Sequence, residues 1–240
     1  FTGCYYAFFL NGIIGLILGS LLPMLRSTYN LDYSIGGTLI SAHSVGNLIS
    51  GFIAGIVPLY LGQKNALLLL CSSTALGFAG MILTGNPLFL ILAFLLTGIG
   101  RGSVSNFDNV IVAEASDGDP KALNILHSFF AVGAFIAPFL VLLCTKSNPE
   151  NWKLAALIVV ILALIMLAFF AIMKIDNKRP EKAEKKKLSF SFFKDPHFLI
   201  STGILFFYLC TETAINGWLV TYFKDTGIHI GKIETEKYNI

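Results

Sequence analysis

Apolar residues in this chain run in seven long blocks, and turn-forming or charged residues collect between them. The blocks span roughly residues 4–25, 36–61, 66–84, 88–113, 123–145, 152–173 and 198–223. Each is near or above the ~20 residues that a helix needs to cross a ~30 Å hydrocarbon core. The purest, Leu154 to Met173, contains only Leu, Ala, Ile, Val, Met and Phe. The pattern predicts an all-α membrane protein. Five connections are short and turn-rich: Ser27 to Ile35, Gln63-Lys64-Asn65, Gly85-Asn86-Pro87, Ser116 to Ala122, and Lys146 to Asn151. Only Lys174 to His197 is long.

Composition agrees, since 55% of residues are hydrophobic and only 13% charged, with a mean hydropathy of +0.74. A water-soluble domain carries about 25% charge. The net charge of +3 does not point to nucleic acid, because the cations sit in loops. The biased distribution of Lys and Arg sets orientation. With a cytoplasmic amino end, the inner connections hold Lys64, Lys121, Lys174, Lys178, Arg179, Lys182, Lys185, Lys186, Lys187 and Lys194, and the outer ones among the first six spans hold Arg26, Lys146 and Lys153. The balance puts the amino end inside, and a plasma (inner) membrane is the expected location. Cys4, Cys71, Cys144 and Cys210 have no ligand-like spacing, so core packing is expected of them and no metal site or disulfide framework. No HExxH, GxSxG or paired catalytic carboxylates occur, and no enzymatic activity or cofactor is expected.

Three units follow: a six-helix bundle over 1–173, a basic cytoplasmic loop over 174–197, and the first helix of a second bundle over 198–240. Six spans, a loop and a lone seventh span are what a carrier of two six-helix halves shows when its carboxyl-terminal half is missing. A seven-span receptor or scaffold without transport is the alternative. Small-residue pairs, Gly15/Gly19, Gly51/Gly55 and Gly98/Gly102, are spaced four apart, with Gly12 and Gly100 alongside. That spacing puts both members on one face and lets helices pack closely in lipid. Spans one and four are the glycine-rich ones, the corresponding members of two three-helix units.

Polar residues inside the spans must turn away from lipid. Arg101 and Asp108 lie two turns apart on nearly one face of span four, and each costs at least ~2.5 kcal/mol at the bilayer centre unless paired or wetted. Asn106 and Asn109 flank the acid. His43 and Asn47 share a face of span two, Asn11 sits in span one, and Tyr208, Glu212 and Asn216 form a stripe on span seven with Trp218 beyond it. As cavity lining, Asn11, His43, Asn47, Asn106, Asp108, Asn109, Glu212, Asn216 and Trp218 are candidate substrate contacts. As interhelical bonds they are worth only ~0.6 kcal/mol each, and for Trp218 an interfacial anchor is the other reading. Folding spans four and five about Asp117-Gly118-Asp119-Pro120 brings Asp108 and His127 to equal depth, the carboxylate and imidazole that proton coupling needs; a His127 simply hydrogen-bonded near the cytoplasmic rim is the equal alternative. Arg101, Asp108, His127, Glu114 and Lys64 are therefore candidate coupling or gating residues.

Gly55-Ile-Val-Pro-Leu-Tyr-Leu-Gly62-Gln-Lys64 between spans two and three, Leu21-Leu22-Pro23 closing span one, Gly98-Ile-Gly100 with Asn109 in span four, and Glu212-Thr-Ala-Ile-Asn-Gly-Trp218-Leu-Val-Thr-Tyr-Phe in span seven carry a resemblance. Together they resemble the major facilitator superfamily, in the branch of the fucose, galactose and glucose permeases. The resemblance implies alternating access by two six-helix bundles, with spans one, four and seven lining a central site for a small polar solute, a sugar. Leu59 stands where the family's loop has Asp, and the acids that proton symporters of this branch carry would fall at Gly19 and near Ser105. Neither is present, so the family's own route to H+ coupling is not supported unless Asp108, about one turn on, replaces the second acid; Na+ coupling or facilitated exchange stays open.

Overall fold

The computed structural model describes residues 2–175 and 194–226, which form helices throughout. In chain order these are α1 (Thr2–Tyr29), α2 (Tyr33–Leu61), α3 (Gln63–Leu83), α4 (Pro87–Ala115), α5 (Pro120–Thr145), α6 (Trp152–Ile172) and α7 (Pro196–Thr226), with a 3₁₀ turn, Pro149–Asn151, leading into α6. All seven are long and apolar enough to span a bilayer. Most of the long loop, including Lys178 to Lys187, lies outside the described residues.

Every helix but α6 starts ahead of its apolar block, and α1, α4 and α7 also run past theirs, because the block marks the hydrocarbon core while capping groups end the helix in the polar zone. Asp32, Asn86 and Asp119 cap α2, α4 and α5, their side-chain oxygens accepting from the amides of Ile35, Leu88 and Lys121 at 2.7, 3.0 and 2.9 Å. Pro87 and Pro120 follow two of these caps at the first helical position, where no amide hydrogen is needed. The turn between α2 and α3 rests on Gly62, whose φ of 81° only glycine adopts without strain. Pro23, Pro58 and Pro138 lie inside α1, α2 and α5, which continue through them.

Packing has an internal symmetry. The closest pairings are α1 with α5, α2 with α4, and α3 with both α4 and α6. At the α1/α5 crossing a Cβ on Gly12 would strike the carbonyl oxygen of Phe130, and one on Gly133 that of Phe9. At the α2/α4 crossing a Cβ on Gly98 would strike the carbonyl of His43, and one on Gly46 that of Leu95. The two crossings match atom for atom when the chain is shifted by about 86 residues, which is the signature of a repeated three-helix unit. Gly51 and Gly55 behave differently from the other spaced pairs: nothing lies within 4 Å of a Cβ on either. They face outward, so the spacing that predicts a contact on α2 is not used within this bundle.

α1 is the most enclosed helix, and α2, α5 and α7 the least. Tyr and Trp side chains that enter the core take their polar tips to acceptors. Tyr6 donates to the Leu162 carbonyl at 3.0 Å, Tyr29 to those of Met81 and Ile82 at 3.0 and 3.2 Å, and Trp152, 0% exposed, to Thr28 Oγ1 at 2.9 Å. These bonds fix α1 against α3 and α6, where a lost partner would cost more than in water. All four cysteines are free. Cys4 and Cys71 are core residues as expected, but Cys210 is exposed on α7, and core packing does not extend to it.

Candidate functional site

A cavity of about 260 Å³ lies between α1, α2, α4 and α7, lined by Gly15, Gly19, His43, Ser44, Asn47, Arg101, Glu212, Thr213 and Asn216 with a few apolar neighbours. Each wall exists because the helix that carries it is otherwise apolar: a polar group on such a helix finds protein or water only on its inner face. His43 Nδ1 lies 2.9 Å from Thr97 Oγ1 of α4, and Thr97 donates to its own helix at Phe94 O, 2.7 Å away. The imidazole is thereby held at the α2 wall. Asn47, one turn on, reaches the same α2/α4 seam, where a Cβ on Gly102 would stand 2.6 Å from its Oδ1. Arg101 enters from α4, with its guanidinium carbon 5.9 Å from the Phe130 ring centroid. Glu212 and Asn216 face it from α7.

The cavity narrows where α7 crosses α1. A Cβ on Gly19 would collide with the Asn216 carbonyl oxygen, so the two backbones meet there. Beyond that crossing, on the face opposite the basic connections, Tyr33 donates to Asp225 Oδ2 at 2.7 Å, and the Arg26 guanidinium carbon lies 3.6 Å from the Tyr33 ring centroid. Trp218 stacks on Tyr33 with centroids 6.4 Å apart, its ring edge over Gly36 and Gly37. This layer closes the cavity at one end. Toward the other end α7 diverges, with no buried residue before Gly217.

Of the expected substrate contacts, His43, Asn47, Glu212 and Asn216 meet in the cavity, together with Arg101. The others do not. Trp218 belongs to the closing layer. Asn11, 3% exposed, opens with Arg101, Ser105, His127, Phe8 and Phe130 on a second recess of about 200 Å³ between α1, α4 and α5. Asn106 donates to Gly102 O and Asn109 to Ser105 O, each within α4 and at 2.8 Å. Asn106 also lines a groove with Glu114, Gly51 and Gly55 on the basic side, remote from the central residues. Asp108 lines no cavity: it is 0% exposed, and neither carboxylate oxygen has a hydrogen-bond partner. The Cys4 thiol is beside it without closing a regular bond.

The expected pairing of Asp108 with His127 is not formed. Equal depth in a hairpin brings two residues together only if the helices touch, and α4 and α5 barely do, because α1 packs between them. Phe8 of α1 occupies the interval, its ring edge-on to His127 at 5.3 Å. Lys64 does not face the cavity; its Nζ donates to the carbonyls of Ala171 and Met173 at 2.7 and 3.0 Å, capping the end of α6.

Gly15, Ser44 and Thr213, and the closing residues Arg26, Tyr33 and Asp225, were not legible as site residues. Tyr33 and Arg26 fall in a predicted connection, and Asp225 beyond a predicted span. The internal offset was the available signal, since it sets Gly15 of α1 at the position of Arg101 in α4.

A polar cavity lined by bilayer-spanning helices of two three-helix repeats, narrowed at one end by a seventh and open toward the other, defines a multi-pass membrane protein of the transporter-like helical class. Residues 4–235 match the Major Facilitator Superfamily, and the chain belongs to that family. Among curated relatives, it is 28% identical over 57% of its length to a gallate transporter of Pseudomonas putida, 31% of which is covered. It is also 28% identical over 60% of its length to sodium-dependent glucose transporter 1 of Rattus norvegicus, again covering 31% of that protein. Bypass of stop codon protein 6 of Saccharomyces cerevisiae matches 93% of the chain at 22% identity, over 50% of its own length. The chain thus spans from 31% to 50% of the length of these relatives.

Proposed function

We propose that this chain is the amino-terminal part of a secondary or facilitative transporter that moves a small polar solute across a membrane by alternating access. The observation that carries the reading is the cavity in which Asn47, His43, Arg101, Glu212 and Asn216, from three otherwise apolar helices, converge at the crossing of α7. Such a convergence of costly polar groups on one enclosed space is the default mark of a solute path. A second bundle, matching the length of the relatives that this chain leaves uncovered, supplies the opposite wall.

The solute is a sugar in this reading. Amides, an imidazole and a carboxylate offer both donors and acceptors at short spacing, which suits a ring of hydroxyls, and one relative is named as a glucose transporter. Another is named for gallate, so the lining carries the assignment more than the names do. Coupling to H+ or Na+ would act through Glu212, which faces the cavity, or through the enclosed Asp108. By the bias of Lys and Arg, the amino end and the long basic loop are cytoplasmic. The layer of Tyr33, Asp225, Arg26 and Trp218 is then the outer closure, and the cavity is turned inward.

Uptake of labelled glucose by liposomes containing the full-length protein, with Asn47→Ala and Glu212→Gln, tests the proposal. Saturable uptake that falls at least tenfold in both variants is expected. A protein that binds no solute and moves none, yet engages a protein partner through the basic loop, would instead be the receptor or scaffold.

A further inference from the structure

The cation at the centre of the cavity makes no ion pair, although the Glu212 carboxylate shares the space with it. Arg101 sits mid-way along α4, largely enclosed, and its guanidinium fills the space that Gly15 of α1 leaves open: a Cβ on Gly15 would stand 3.3 Å from an Arg101 Nη. The Phe130 ring, 5.9 Å away, offers a π face and no acceptor. Nε is buried with no hydrogen-bond partner. Among the described residues no carboxylate comes within ion-pair distance, and the acid whose charge reaches Arg101 is Glu212, across the cavity.

Three features make this a built site. Its cation is held by shape, through the Gly15 vacancy and the Phe130 wall, so the fork of N–H donors is already oriented and little freedom is lost on binding. The guanidinium opens onto a space of solute size. Its polar companions there are the neutral groups Asn47, His43 and Ser44 on one side and Thr213 and Asn216 on the other, with Glu212 the acid on the α7 wall. A planar fork of donors is matched best by a carboxylate, which accepts two parallel bonds.

We infer that Arg101 is a carboxylate-binding subsite and that the solute is a polyhydroxylated monocarboxylate, a sugar acid, with its carboxylate on the guanidinium and its hydroxyls on Asn47, His43 and Asn216. The inference rests on the transport reading above and adds to it the charge of the solute. The rival role for Arg101 is internal: neutralising Glu212 when α7 swings inward.

D-glucuronate and D-glucose differ only at C6, a carboxylate against a hydroxymethyl group. Binding and liposome uptake of both are measured with the full-length wild type, Arg101→Gln, Arg101→Lys, and Arg101→Gln combined with Glu212→Gln. The wild type should bind glucuronate about ten- to a hundredfold more tightly than glucose, the range expected of a charge-assisted pair. That ratio should collapse in Arg101→Gln and survive in part in Arg101→Lys, which keeps the charge and loses the fork. Should Arg101→Gln fail to elute as a folded species, the wild-type ratio and the Arg101→Lys ratio decide. Glucose bound as well as glucuronate by the wild type overturns the subsite and leaves the transport reading standing. Restored glucuronate binding in the double variant makes Arg101 the counter-ion of Glu212 and also overturns it. Binding of neither solute overturns the sugar-acid assignment and the sugar reading together.

Discussion

Gly98 and Gly55 look alike in sequence, each a member of a pair spaced four residues apart in an apolar helix, but they should respond oppositely to Ala. At Gly98 the added methyl would overlap the His43 carbonyl oxygen and stand 2.9 Å from the Asn47 amide nitrogen. Both are backbone atoms that no rotamer change can remove, so α2 and α4 must separate. Overpacking of this kind costs about 1–3 kcal/mol, against a gain of about 0.5–1 kcal/mol for replacing a mid-helix Gly by Ala. The net expectation is a loss of about 1–2 kcal/mol. At Gly55 nothing lies within 4 Å, so only the helix gain remains. With about 2–4 °C per kcal/mol for a chain of this size, Gly98→Ala should lower Tm by several degrees and Gly55→Ala should leave it level or raise it slightly. Unfolding in detergent can be followed with a thiol-reactive fluorophore that reads exposure of the buried Cys4 and Cys71 after the accessible Cys210 has been blocked. Equal losses at the two glycines, or a gain at Gly98, would refute the claim that backbone contact decides which spaced pairs matter.

Tyr33→Phe removes the 2.7 Å bond to Asp225 and should loosen the closing layer; a cysteine placed by Thr213→Cys should then react faster with a membrane-impermeant reagent added on that side, and an unchanged rate would contradict the closure. Lys64→Met deletes two bonds to the last carbonyls of α6, with faster amide exchange near Met173 expected and a cost of about 1–2 kcal/mol. Trp152→Phe keeps the aromatic bulk but strands Thr28 Oγ1, and should lower stability by about 1 kcal/mol in the same thermal assay, whereas Trp152→Ala should cost about 3–5 kcal/mol from the cavity left behind.

The number of spans, the helical class, the turns at Gly85-Asn86-Pro87 and Asp117-Gly118-Asp119-Pro120 and the family resemblance could all be read along the chain. So could the need for Arg101, Glu212, Asn47 and His43 to face inward, because the expense of placing a polar group in lipid depends only on the helix that carries it. Which inward-facing groups meet was not readable in the same way. Asp108 shares a face and a helix with Arg101, but one is sealed against α1 and α3 while the other opens on the cavity. Asp108 and His127 share a depth but are separated by α1. The two spaced glycine pairs of α2 and α4 differ only in what lies opposite them.

Hydropathy determined, by itself, that this chain forms seven membrane-spanning helices, since it is a property of a single helix and its surroundings. Tertiary structure alone decided that α1 is the central helix and that α7 crosses it at Gly19. It also decided that Arg101 fills the space beside Gly15 and that Tyr33 meets Asp225. These depend on which backbone passes close to which, and helix contacts in lipid are set by shape and polar pairing between helices distant in sequence, a relation that no single stretch of chain contains.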